Sequence, residues 1–256
     1  MELTQKLNLS KESNIIDIFD IHSTKIEESN TFVVEILMNK MDYDLNGYAR
    51  RNFKGYLTVN TFKSLFNILQ QTVHGMKHIH EAGLSHFDIK EANIMLNRDG
   101  VVKLIDFDFA TENKGSLSLK RGTPLYLSPE MVRCKEDKHP RDKCDVWSFG
   151  IVVFNMLRKI QQLKKAEIVS IASKEILVDD DDNIFLLGNA TSQESIDSLV
   201  DFICNTEGKN VPPDVLPYIE SCSKLIKSTL QISYDDRLSV NDLYGMVDKF
   251  QNISTI

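Results

Sequence analysis

The strongest periodic signal in the chain is the run 61–81, where Phe62, Leu65, Leu69, Val73, Met76 and Ile79 recur at three- and four-residue spacing. That spacing lines one face of a helix with apolar side chains and predicts an amphipathic helix laid on a core. Gly83 follows it, at the place where a glycine ends a helix. Ahead of this run, Ile15, Ile16, Ile18, Phe19 and Ile21 form a β-rich segment, 23–30 reads as a polar turn, and 31–37 reads as a second strand. Leu3 and Leu7, four apart, suggest a short helical face at the start. Downstream, Ile94-Met95 and the alternating run 101–105 flank Asn97-Arg98-Asp99-Gly100, and an Asp-Gly between such runs signals a β-hairpin. An apolar helix is predicted from Asp145 to about Leu157, and further helices over 218–230 and 241–250. The stretch 158–210 has no readable period; its Asp179-Asp180-Asp181-Asp182 run repels itself, so those four residues are read as a solvated loop.

The predicted hairpin changes the chemical picture. It returns Asn93, at the mouth of the first strand, beside Asp106, at the end of the second. Two oxygen ligands side by side suit Mg²⁺, which takes one or two protein carboxylates and completes its shell with phosphates and water. Asp88, just before, can orient a hydroxyl or accept its proton, and Lys90 offers positive charge to a transferring phosphoryl group.

Composition narrows the classes. A chain of 256 residues with 42% hydrophobic content makes one domain, or two lobes sharing a cleft. A net charge of −7 argues against nonspecific nucleic-acid binding through a basic face, and leaves nucleotide binding open. The four cysteines include no C-x-x-C pair. Cys134 and Cys144 bracket His139, yet reduced cysteines are favoured over a zinc site. His74, His78 and His80 on the long helix are read as surface or satisfied core histidines. MELTQKLNLSKES lacks the apolar run of a signal peptide, and 149–157 is shorter than the ~20 residues a bilayer span needs. The expectation is a protein of the cytoplasm or nucleus, without membrane insertion.

Five segments, taken in order, resemble the signature set of eukaryotic protein kinases. His86-Phe87-Asp88-Ile89-Lys90 with Asn93 is similar to the H-R-D-L-K-x-x-N catalytic loop, and Asp106-Phe107-Asp108 to D-F-G. Gly122-Thr123-Pro124-Leu125-Tyr126-Leu127-Ser128-Pro129-Glu130 resembles G-T-x-x-Y-x-A-P-E. Asp145-Val146-Trp147-Ser148-Phe149-Gly150 resembles D-x-W-S-x-G, and Asp235-Asp236-Arg237-Leu238-Ser239 the late D-P-x-x-R-x-[ST]. The resemblance implies an α+β, protein-kinase-like fold with a mainly α-helical large lobe. The small β lobe is reduced to the end of its helix and its last two strands. On that reading 1–37 is the remnant of the small lobe and hinge, 38–250 the large lobe, and 251–256 a tail.

It also implies roles. Asp88 and Lys90 are the catalytic pair; Asn93 and Asp106 hold Mg²⁺; Glu35, Leu37, Lys90, Asn93 and Met95 bind ATP, with Val34 behind the adenine pocket. His86 and Phe107 stack in an internal spine. Thr123 reaches toward Asp88 and Lys90, Asp145 accepts backbone N–H groups of the catalytic loop, and Glu130 pairs with Arg237. Lys90 and Gly122-Thr123 resemble the serine/threonine subclass, so the implied activity is transfer of the γ-phosphoryl of MgATP to protein hydroxyls. Two departures stand inside the motifs. Phe87 replaces the arginine that grips an activation-loop phosphate, and Asp108 replaces a glycine. Before Ile15 there is neither a G-x-G-x-x-G nor a V-A-I-K-like strand; Lys6, Lys11 and Glu2 do not supply the missing pair. That departure keeps a second expectation open, a catalytically impaired scaffold holding a protein partner. A third is a small-molecule kinase of the aminoglycoside phosphotransferase type, whose I-D-F-[DE] turn Ile105-Asp106-Phe107-Asp108 matches, but which lacks the later motifs.

Overall fold

The computed structural model describes residues 13–26, 31–53, 57–112, 121–133, 142–163, 176–178, 184–186, 192–207 and 209–250. The expectations for Leu3–Leu7, Glu2, Lys6, Lys11, Cys134, His139, the Asp179–Asp182 run and the tail lie outside these residues.

The first elements form an antiparallel pair, β1 (Ile18–Ile26) and β2 (Thr31–Met38), with Glu35 opposite His22 and Leu37 opposite Asp20. The first strand runs through Ser23, Thr24, Lys25 and Ile26, so these four residues are strand rather than the polar turn expected from Ser23 onward. Cross-strand partners Phe32, Val33 and Val34 hold these polar residues in the ladder, overriding their turn preference. The ribbon is exposed on both faces: Phe19 is 63% and Phe32 65% exposed.

Its root is tied to the rest of the molecule. Ile16 N–H donates to the Leu104 carbonyl at 2.9 Å, and Leu104 N–H to the Asn14 carbonyl at 2.8 Å. Lys103 Nζ reaches the Ser13 carbonyl at 2.9 Å and the Asp17 carboxylate at 3.3 Å. Asn39 Nδ2 closes the ribbon on Asp17 at 2.6 Å.

A short strand β3 (Tyr43–Asp44) leads into helix α1 (Leu45–Asn52), whose N-cap Asp44 accepts from Gly47 N–H. Helix α2 (Val59–Glu81) buries Phe62, Leu65, Leu69, Val73, Met76 and Ile79, the face its sequence period marks out. Thr58 caps its start, and Gly83 follows its end at φ +76°. Strand β4 (Leu84–Ser85) comes next, then β5 (Ile94–Leu96) and β6 (Val102–Leu104). β5 lies between β3 and β6 in one antiparallel sheet. The turn joining β5 to β6 has Gly100 at φ +79°, and Asn97 Oδ1 accepts from Asp99 and Val101 N–H groups. β7 (Thr111–Glu112) pairs with β4.

The large helical layer contains α3 (Pro129–Val132), α4 (Asp142–Gln161), α5 (Gln193–Cys204), α6 (Leu216–Thr229) and α7 (Val240–Asp248). A two-strand ladder, β8 (Ile176–Val178) with β9 (Ile184–Leu186), lies between α4 and α5 in sequence. Helix α4 extends beyond the predicted 145–157 at both ends. It is buried on almost every side from Cys144 to Arg158, which is why its sequence is apolar all round rather than striped. Within 158–210, where the sequence showed no readable period, Ile196, Leu199, Val200 and Ile203 give α5 an apolar stripe, and Ser192 caps it.

Candidate active site

The loop between β4 and β5 and the turn after β6 form one polar cluster over a buried base. Asp145, at the start of α4, accepts the backbone N–H groups of His86 and Phe87, each at 2.8 Å. His80 Nε2–H, from the last turn of α2, donates to the same carboxylate at 2.8 Å. Three donors on one buried carboxylate fix the path of the loop just before Asp88. His86 Nε2–H donates to the Ile105 carbonyl at 3.0 Å, while Nδ1 accepts from Asp88 N–H at 3.2 Å. Both bonds are satisfied by the neutral ring, and burial pushes the imidazole below its ordinary pKa. The ring of Phe107 lies 4.8 Å from that of His86.

Asp88 is nearly fully buried and fully bonded. Oδ1 accepts from Thr123 N–H at 3.0 Å and from Thr123 Oγ1 at 2.6 Å. Oδ2 accepts from Lys90 Nζ at 2.7 Å and Asn93 Nδ2 at 2.9 Å. Lys90 Nζ also reaches Thr123 Oγ1 at 2.9 Å. Burial raises the Asp88 pKa, but hydrogen bonds from Lys90 and Thr123 and the lysine charge outweigh it, and the carboxyl sits below its ordinary value. Such a group is ionised at neutral pH and better suited to orienting a hydroxyl than to holding its proton early in a reaction.

Asn93 Nδ2 also donates to the Asp88 carbonyl at 2.9 Å, which directs Oδ1 of the amide to the other side. Ile105 N–H donates to the Asn93 carbonyl at 3.1 Å, so the hairpin register sets Asn93 next to the residue preceding Asp106. Asp106 has φ +65° and an exposed side chain, a strained backbone at a turn that turns its carboxylate outward. An amide oxygen and a carboxylate are hard donors of the kind Mg²⁺ takes, so these residues fit that ion. Asp108 is exposed, and its N–H points at Asp106 Oδ1 at 3.4 Å.

The remaining expected nucleotide residues are more dispersed. Met95 sits mid-strand in β5 between Asp44 and Lys103. Glu35 and Leu37 lie on the exposed ribbon, where they line a depression of about 200 Å³ with Asp20, His22 and Ile36. No catalytic-loop side chain contributes to that lining.

The segment facing Asp88 is held from beneath. Arg237 donates to both Glu130 oxygens, at 2.6 and 3.0 Å, and to the carbonyls of Gln231 and Lys143. Gly122 has φ +100°, and a Cβ there would stand 2.0 Å from the Phe87 carbonyl oxygen, so only glycine allows this crossing. Phe87, itself at φ +63°, is buried with Leu127, Met131 and Cys144. The loop position that sequence reasoning treated as a lost phosphate grip is therefore an apolar contact with the facing segment.

Sequence reasoning missed Glu91. It is fully buried one residue after Lys90, accepts from the Tyr126 hydroxyl and from Asn155 Nδ2 at 3.0 Å, and burial raises its pKa. The available signal was an acid set between Ile89 and Ile94 in a stretch the fold buries; its partners are distant in sequence and gave no local clue.

Comparison with known proteins agrees with this architecture. A family model described as the protein kinase domain matches residues 1–247. The chain belongs to the protein kinase family. Among curated relatives, the serine/threonine-protein kinase pakG of Dictyostelium discoideum is 37% identical over 107 residues, 40% of this chain and 9% of that protein. Sporulation-specific protein 1 of Saccharomyces cerevisiae is 38% identical over 100 residues, 38% of this chain and 20% of the relative. The serine/threonine-protein kinase SKM1 of the same yeast is 30% identical over 154 residues, 59% of this chain and 23% of the relative. The chain thus spans between 9% and 23% of the length of these relatives. No helix among the described residues is long and apolar enough to cross a membrane.

Proposed function

We propose that the chain is a serine/threonine protein kinase that moves the γ-phosphoryl of ATP to a protein hydroxyl. The observation that carries this reading is the Asp88 cluster: one buried, ionised carboxylate bonded at once by Lys90, Asn93 and Thr123. In this reading an acceptor hydroxyl displaces part of that network and is oriented by Asp88, which takes its proton as the new O–P bond forms and the bond from the γ-phosphorus to the β–γ bridging oxygen breaks, releasing ADP. Lys90 then steadies charge on the transferring group. Asn93 Oδ1 and the Asp106 carboxylate would hold Mg²⁺, which supplies charge neutralisation on the nucleotide phosphates. Glu35, Leu37 and Met95 would receive the adenine, and Asp145 and the His86–Phe107 pair would hold the loop in shape.

A second reading, a scaffold that binds a protein partner without transfer, is favoured by one feature. Asp108 stands where the resembled motif has glycine, so a second carboxylate and a more restricted backbone sit beside Asp106, the expected metal ligand. One experiment separates the two. Purified chain is incubated with radiolabelled ATP, Mg²⁺ and a serine-rich protein acceptor, alongside Asp88→Asn and Asp106→Ala. Label on the acceptor, lost in both variants, supports the kinase. Folded protein that shows no transfer and no thermal shift at millimolar MgATP supports the scaffold.

A further inference from the structure

Glu91 is a buried acid that the mechanism above leaves unused, and its surroundings give it a specific task. It opens the short 3₁₀ turn Glu91–Asn93, between Lys90 and Asn93, and none of its surface is exposed. Its carboxylate accepts from the Tyr126 hydroxyl on one oxygen and from Asn155 Nδ2, on α4, at 3.0 Å on the other. Tyr126 ends the 3₁₀ turn Pro124–Tyr126, and Thr123 precedes it. Tyr126 N–H closes that turn on the Thr123 carbonyl at 2.9 Å, and Ser148 Oγ donates to the Tyr126 carbonyl at 2.8 Å.

The two ends of one rigid turn are therefore held by two acids three residues apart on the catalytic loop. Asp88 takes Thr123, and Glu91 takes Tyr126. The Asp88 contact lies within the network that an arriving acceptor hydroxyl enters, with Thr123 Oγ1 on Oδ1 at 2.6 Å and Lys90 Nζ on Oδ2 at 2.7 Å. The Glu91 contact is sealed away from that exchange, since Tyr126 is only 6% exposed. With no water to compete for its partners, a buried hydrogen bond of this kind keeps its geometry.

We propose that Glu91 is a positioning residue for the acceptor: it keeps the 123–126 turn in register with Asp88 while the Thr123 contact opens and closes. This rests on the phosphotransfer reading, and it predicts an effect on the protein acceptor rather than on nucleotide. Tyr126→Phe deletes the hydroxyl with little change of shape. It is expected to raise the KM for a peptide acceptor roughly tenfold while the KM for ATP stays within about twofold. Glu91→Ala should do the same, and Glu91→Gln, whose amide oxygen can still accept from Tyr126, should recover most of the loss. Glu91→Ala with Tyr126→Phe should be no worse than Glu91→Ala alone, because both remove one contact.

Amide hydrogen exchange supplies an arm that needs no activity. Residues 121–127 should exchange faster in Tyr126→Phe, with 105–108 unchanged. Equal changes in the two KM values, or unaltered exchange at 121–127, overturn the proposal. If the wild-type chain transfers no phosphate, the kinase reading falls, and the exchange experiment alone then decides whether Glu91 anchors the turn.

Discussion

Removing Arg237 gives the most informative perturbation, because so much converges on its guanidinium. Its side chain is wholly buried, donates to both Glu130 oxygens and to the Gln231 and Lys143 carbonyls, and lies 5.1 Å from the Trp147 ring centre. In Arg237→Met the chain keeps much of the side-chain volume but leaves Glu130, whose own side chain is 14% exposed, as a buried charge without its partner. Breaking a buried pair on one side costs ~3–5 kcal/mol. At roughly 2–4 °C per kcal/mol for a domain of this size, the melting temperature should fall by about 6–20 °C.

The pH dependence has a definite sign. In the wild type, burial raises the Glu130 pKa, but the hydrogen bonds and charge of Arg237 outweigh it, and the folded value lies below 4.5. That contribution to stability is complete above the unfolded pKa and is lost as pH falls through the folded one. In Arg237→Met burial, the largest influence on Glu130, is opposed only by the weaker hydrogen bonds from the Glu130 backbone and Ser128, so the folded pKa rises and the stability held by ionised Glu130 shrinks. The gap between variant and wild type should therefore narrow as pH is lowered from ~7 toward ~5. Urea denaturation of wild type, Arg237→Met, Glu130→Leu and the double variant measures this directly. The double variant removes both charges and should recover much of the loss. Additive losses with no pH dependence would refute the account.

Other consequences follow from individual contacts. Gly122→Ala should displace the 121–126 segment, since its Cβ has no room beside the Phe87 carbonyl; acceptor phosphorylation should collapse while MgATP still shifts the melting curve. Phe87→Arg would bury a guanidinium among Leu127, Met131 and Cys144 and should cost ~3 kcal/mol in denaturant titrations, an outcome opposite to that for a phosphate-gripping position. Gly150→Ala drives a methyl to 2.4 Å from Thr229 Oγ1 at the α4–α6 contact, and overpacking of that kind should cost ~1–3 kcal/mol by the same titration. Phe32→Lys, on the exposed ribbon, should change stability by no more than about 0.5 kcal/mol while lowering self-association in light scattering.

Much of this protein is written locally. The α2 helix follows from apolar residues three and four apart, and the β5–β6 hairpin from an Asp-Gly turn between apolar runs, because period and turn chemistry act over a few residues. The motif residues from His86 to Arg237 could likewise be named from their order, which carried the family. Other features depend on partners far along the chain. Ser23–Ile26 reads as turn yet is strand, because Thr31–Val34 pairs with it. α5 escaped notice because its apolar stripe stands amid polar sequence, and it gains its burial only against α4 and α6. Glu91 drew no attention in the sequence, because the partners that close around it, Tyr126 and Asn155, are 35 and 64 residues away. Periodicity records which way a side chain must face; only the assembled core decides which polar atoms it brings within hydrogen-bonding distance, because burial then leaves each of them no other partner.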